Sequence, residues 1–336
     1  DNIEVKEINS DYTYIPDQIF EQRLIDLGYD DIIDEQVLTA IISNVESLDI
    51  SWRGISDLTG IEDFNSLTEL YCNNNSLTNL DLSQNSDLRL LECHWNNLTS
   101  LDLSQNSDLI TLVCPWNEIA SLDLSQNTAL TNLYCFTNQI TNLNVTSCTA
   151  LERVECGANQ LTSLDVSQNP SLNILFCESN QLTSLDVSQN TALSSLNCSY
   201  NNLTNIEISQ NTELTYLNID ANQLTNLDIA NNPSFIEIEV RNEKEAITAA
   251  AMWQQFHADA EIRLVIMLDN FGAERCKTTA AKLTEMGLRE NILLEASGNI
   301  TFDTLDDWFE CGVDVISTSA INRGVKPLDL SMIMGD

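Results

Sequence analysis

LTELYCNNNSLTNLDLSQNSD, residues Leu67–Asp87, is one copy of a block that returns every twenty-one residues through the middle of this 336-residue chain. Leucine keeps that step at Leu67, Leu88, Leu109, Leu130, Leu151, Leu172, Leu193 and Leu214. Cysteine keeps it from Cys72 to Cys198, and asparagine at Asn75, Asn96, Asn117, Asn138, Asn159, Asn180, Asn201 and Asn222. Within the block Leu70 and Cys72 alternate with Glu69, Tyr71 and Asn73, the period-2 pattern of a short strand. Leu77, Leu80 and Leu82 turn inward on the returning half of the coil. A unit this short cannot bury its apolar face alone, so neighbours stack on it and their strands line up in a parallel sheet about 4.8 Å apart. The asparagine after each strand is expected to satisfy backbone groups where the chain bends.

The order L-x-x-L-x-L/C-x-x-N-x-L at this period is the leucine-rich-repeat signature. With "LTSLDLSQN" as the telling string, residues Val45 to Val240 resemble bacterial leucine-rich repeats of the flavobacterial type. Residues 45–66 read as an atypical first repeat and 1–44 as an N-terminal cap. In the cap, Pro16-Asp17 opens a helix with Phe20, Leu24 and Leu27 on one face, ending near Gly28. The acids Asp26, Asp30, Asp31, Asp34 and Glu35 lack the glycine and spacing of an EF-hand and read as a solvated cap surface.

Net charge is −37, with 14 Lys and Arg against 51 Asp and Glu. Only Lys6, Arg23, Arg53, Arg89 and Arg153 precede Arg241, so nucleic acid is not an expected partner. No apolar run is long enough for a membrane span, and the first residue, Asp1, leaves room for a removed leader. Seven of the ten cysteines sit in the repeat column, where they read as small buried hydrophobes. In-register parallel strands suit disulfides poorly, and no histidine accompanies the column to suggest a metal. A second column, Asp81, Asp102, Asp123, Asn144, Asp165, Asp186, Glu207 and Asp228, reads as acceptors of turn hydrogen bonds rather than as calcium ligands.

From about residue 239 helical and strand patterns alternate, which indicates βα units. Helices are expected at Glu243–His257, Ala273–Met286 and Asp303–Glu310, with strands at Leu264–Leu268, Ile292–Ala296 and Val313–Ser317. The fold class is thus α/β, a solenoid at 45–238 followed by a half-barrel at 239–336.

The strings "EIEVRNEKEAI", "IMLDNF", "LLEASGNITFDTL", "GVDVIS" and "VKPLDLSM", in this order, resemble the C-terminal half of the quinolinate phosphoribosyltransferase barrel. The resemblance covers Glu237 to Met334. It implies a reaction joining quinolinate to phosphoribosyl pyrophosphate, with loss of carbon dioxide and pyrophosphate. It also implies that Glu239 and Asp269 face the phosphoribosyl group and a Mg²⁺ ion, and that Ser297, Gly298, Asn299 and Ser319 form phosphate-binding loops. Asn299 and Ser319 stand where the family has glycine, and "MWQQFHADAEIRL" is an insertion. The barrel half that carries the anion-holding arginines and lysines has no counterpart, because the repeats occupy its place.

A different surface is suggested by Tyr71, His94, Trp95, Trp116, Tyr134, Phe136, Phe176 and Tyr200, which are expected along the concave face. Exposed aromatics on one face are typical of recognition surfaces. Two functions follow. One is an interaction module binding a protein or glycan there, with the half-barrel inactive alone and self-association left open. The other is nicotinate-nucleotide pyrophosphorylase activity with Mg²⁺. The repeats resemble secreted or cell-surface proteins, the C-terminal segment a cytoplasmic family.

Overall fold

The computed structural model describes residues 11–224, 227, 237–257, 264–298, 300, 302–318 and 330–333. The chain divides into two compact units, Asp1–Pro170 and Ser171–Asp336.

The first unit begins with a cap. Asp17 caps the helix Gln18–Asp26 by accepting from the Ile19 and Phe20 amides, and Phe20 and Leu24 are buried. The strands Tyr12–Tyr14 and Gln36–Leu38, not anticipated from sequence, pair antiparallel beside that helix. Buried Glu21 fixes the loop between them by accepting the Asp34 and Gln36 amides. The cap also leans on Gly60 at φ 99°, where a β-carbon would lie 2.3 Å from Ile15.

Six parallel rungs follow: Ser47–Asp49, Glu69–Tyr71, Leu90–Glu92, Thr111–Val113, Asn132–Tyr134 and Arg153–Glu155. Their central residues, Leu48, Leu70, Leu91, Leu112, Leu133 and Val154, stand in register and are fully buried. Behind them lies the cysteine column, also buried, without a disulfide among the described residues. Loss of hydration pushes Cys72 and Cys114 up to about 12, so these thiols pack and do not react.

Two asparagine ladders lock the coils. In the expected one, Asn96 donates to the carbonyls of Cys72 and Cys93 and accepts the Leu77 amide, and Asn117 repeats this one rung on. The second ladder, on the returning side, was not anticipated. Asn85, Asn106, Asn127 and Asn169 are at most 1% exposed. Asn106 donates to Leu82 and Asn85 carbonyls, Asn127 to Leu103 and Asn106. Cys148 replaces asparagine in one rung and makes a single contact, to the Leu124 carbonyl. The acidic column does accept turn hydrogen bonds: Asp81, Asp102, Asp123 and Asp165 each take the amide of the serine two residues on. Asp228 lies outside the described residues.

The second unit contains the rungs Ile174–Phe176, Ser195–Asn197 and Tyr216–Asn218 in parallel register. The strand Glu237–Val240 then pairs parallel with Tyr216–Asn218 on one side and with Leu264–Asp269 on the other. It is both the last rung and the first βα strand. Ile292–Ser297 and Val315–Thr318 extend the sheet in parallel, and Leu330–Ile333 closes it antiparallel. Helices Glu243–His257 and Ala273–Glu285 connect the strands, with Trp253 fully buried. The helix expected at 303–310 is instead a 3-10 turn, Phe302–Trp308. Short connectors favour this tighter winding, and Cys311 closes it by donating to the Trp308 carbonyl.

Candidate functional site

Parallel strands present their C-terminal ends along one edge, and in both units that edge carries the candidate side chains. In the first unit the aromatics fall into two sets by backbone position. Tyr71 and Tyr134 lie on strands and are half-buried. Tyr71 donates to Glu69. Arg153 lies over the Tyr134 ring, 5.4 Å from its centroid, and is paired with Glu155. His94 and Phe136 are two residues beyond their strands. Burial lowers the His94 imidazole despite Glu92 nearby, and its Nδ1 has no partner.

Trp95 and Trp116 lie further out, in left-handed backbone at φ 54° and 56°. Each rung from Ser47–Asp49 to Tyr216–Asn218 turns this way after its strand, at Trp52, Asn74, Thr137, Ala158, Ser179, Tyr200 and Ala221 in the others. Strand alternation therefore does not extend to this residue, whose backbone has left the extended conformation. The two indoles stack 4.4 Å apart, 7° from parallel, and stay 49% and 42% exposed.

In the second unit Phe176 lies on its strand, tilted against Tyr216 at 6.2 Å, and Tyr200 takes the left-handed position. Here the strand ends converge. Glu239 accepts from Asn218 at 2.6 Å and from Tyr216 at 3.4 Å. Burial, then the charge of Asp269, raises the Glu239 carboxyl above its usual range. Asp269 accepts from Ser297 at 2.9 Å and Asn270 at 2.6 Å. Gly298, at φ 85°, is held so close that a β-carbon would meet Asn270 at 2.1 Å. The structure thus brings together Glu239, Asp269, Ser297 and Gly298; Asn299 and Ser319 lie outside the described residues.

Two residues that sequence reasoning missed dominate this edge. Arg241 reaches Asp220 at 2.6 Å and Asp269 at 3.0 Å, and its guanidinium lies 4.6 Å from the centroid of the Tyr200 ring. Asp220 is fully buried. Burial and the neighbouring Glu245 push its carboxyl up to about 7, with smaller contributions from Glu239 and Asp269. Arg241 opposes that shift, and its contact with Asp220 is ionic rather than a well-directed hydrogen bond.

These groups do not fit a Mg²⁺ ion, which demands near-octahedral oxygen ligands. The guanidinium already supplies the positive charge between the carboxylates. Both Asp269 oxygens accept hydrogen bonds from neighbouring side chains. Among the described residues no group of three His, Cys, Asp or Glu side chains is placed to hold a metal. No described helix is long and apolar enough to cross a membrane.

Comparison with known proteins follows the same division. Residues 219–333 match the model of the quinolinate phosphoribosyl transferase C-terminal domain. A probable carboxylating nicotinate-nucleotide pyrophosphorylase of Methanothermobacter thermautotrophicus is 36% identical over 29% of this chain and 32% of its own length. The rat enzyme is 35% identical over 30% of each. The chain thus spans about a third of the curated relatives it matches. Among solved structures, the functional domain of InlJ from Listeria monocytogenes, which includes a cysteine ladder, is 35% identical with a TM-score of 0.57. That likeness covers 68% of this chain and 56% of InlJ. The internalin InlF superposes with a TM-score of 0.60 over 88% of this chain at 17% identity, a likeness of fold alone. The chain is therefore similar to leucine-rich-repeat proteins of the internalin kind through its repeats and, from residue 219, to the C-terminal domain of quinolinate phosphoribosyl transferases.

Proposed function

We propose that this chain is a leucine-rich-repeat interaction module that binds a protein or glycan through its aromatic side chains, and that its βα segment does not catalyse phosphoribosyl transfer alone. The observation that carries the second statement is Arg241. It spans Asp220 and Asp269 where a phosphoribosyl group and its cation would have to be received. Two highly charged anions also need arginine and lysine clamps, and the repeats supply almost none. For the binding role the support is the repeat fold, which offers stacked, interchangeable positions for recognition, and the aromatics those positions carry.

The purified chain is to be incubated with quinolinate, phosphoribosyl pyrophosphate and Mg²⁺ and assayed for nicotinate mononucleotide. No product is expected. Turnover that disappears in Glu239→Gln would overturn this reading and favour pyrophosphorylase activity. For binding, the immobilised chain is screened against arrays of peptides and oligosaccharides. A chain that retains no member of either array is not an interaction module of this kind.

A further inference from the structure

The left-handed position after each strand is filled differently in the two units, and one of them shows what it can hold. In the second unit Tyr200 occupies it and carries a guanidinium on its ring face, that of Arg241, whose charge is met by the buried Asp220. In the first unit Trp95 and Trp116 occupy it on adjacent rungs, and no described cation lies over either. We infer that the Trp95–Trp116 stack is a docking site for an arginine-bearing basic peptide segment of a partner. The inference rests on the interaction-module reading and names the partner's chemistry.

Three observations support it. Indole is the best aromatic partner for a cation, better than the phenol ring that already holds Arg241. The two rings lie 7° from parallel, so the stack ends in flat outer faces that match a planar guanidinium. The surroundings are acidic. Glu92 is half-buried on the strand leading to Trp95, and exposed Glu118 follows Trp116 by two residues. Between residues 45 and 170 the only Lys or Arg residues are Arg53, Arg89 and Arg153. Arg53 is engaged by Asp26 and Arg153 by Glu155. A neutral sugar would use the rings but leave these carboxylates without counter-charge.

The test is fluorescence anisotropy with a dye-labelled peptide of alternating glycine and arginine, at about 0.15 M salt to screen unspecific attraction. The full chain is compared with Trp95→Asn/Trp116→Asn, which keeps net charge unchanged and uses the residue that Asn74 places in the same conformation. Trp52→Asn, at the same left-handed position of the first rung but separated from Trp95 by the Asn74 rung, is the control for a single exposed indole. The double variant is expected to bind about tenfold or more weakly, Trp52→Asn as wild type, and a lysine version of the peptide more weakly than the arginine one. Equal affinity in the double variant would overturn the inference, because attraction to a net negative surface alone would then explain binding. So would retention of neutral oligosaccharides that depends on the same two indoles. If the peptide is not bound while some other ligand is held through Tyr71 and Tyr134, this inference fails and the interaction module stands.

Discussion

In the repeats the same two asparagine clamps return from coil to coil, with Cys148 the exception, whereas between Glu237 and Ser317 each polar contact occurs once. The difference sets what each region can vary. A clamp repeated at Asn96, Asn117 and Asn138 makes the backbone indifferent to the residue beside it. Asparagine, tryptophan and threonine can therefore follow one another in the left-handed turn at Asn74, Trp95, Trp116 and Thr137. In the βα segment Arg241 answers to Asp220, Asp269 and Tyr200 together, and Asp269 also to Ser297 and Asn270. Changing one member there disturbs the others.

The sharpest way to break the comparison is to remove one clamp. Asn106→Leu keeps the volume but removes the second donor from the Leu82 and Asn85 carbonyls, which retain only the Asn85 and Leu88 amides. Two lost buried hydrogen bonds cost on the order of 2 kcal/mol. Hydrogen exchange should place the damage in the two flanking coils; a uniform loss across both units would refute local clamping.

A smaller effect is expected at the singular site. Burial holds the Asp220 carboxyl at about 7, above its ordinary 3.8, so the folded chain keeps a proton that the unfolded chain releases. That stabilisation is complete below the unfolded value and is lost as pH rises through 7. Between pH 5 and pH 8 the second unit should lose about 1–2 kcal/mol, less than the roughly 2.6 kcal/mol the shift implies over that range, because Arg241 favours the ionised form. Asp220→Asn should flatten this dependence; an unchanged slope in urea titrations would show that Asp220 is ionised throughout.

The smallest change restores rather than breaks. Cys148→Asn completes the returning ladder, adding a donor for the Asn127 carbonyl, and should raise stability by about 1 kcal/mol. A thermal midpoint that falls would mean that the neighbouring coils have repacked around sulfur.

Most of the architecture was legible from periodicity, because a column of identical residues has one environment and therefore one explanation. That logic gave the strand register, the buried cysteines and the first asparagine ladder. It missed the second ladder, although "SQN" recurs at the same step, because a buried asparagine and an exposed turn asparagine look alike in sequence. The paired indoles were found but their backbone was not, since alternation carries no warning of where the chain turns left-handed. Glu239 and Asp269 were found by resemblance and do meet at the strand ends. Arg241 and Asp220 had no periodic signal; the only hint was that the cysteine column breaks at Ile219, beside Asp220.

Both ladders point one way. Each asparagine donates to carbonyls of the coil before it, never to the coil after, so every coil is completed by its successor. The array therefore has a polarity of assembly like that of a row of overlapping tiles. Duplicating or deleting one whole tile leaves each overlap intact, while gaining or losing a single residue puts every later one out of step. Lineages that lengthen or shorten this protein should do so in complete repeats.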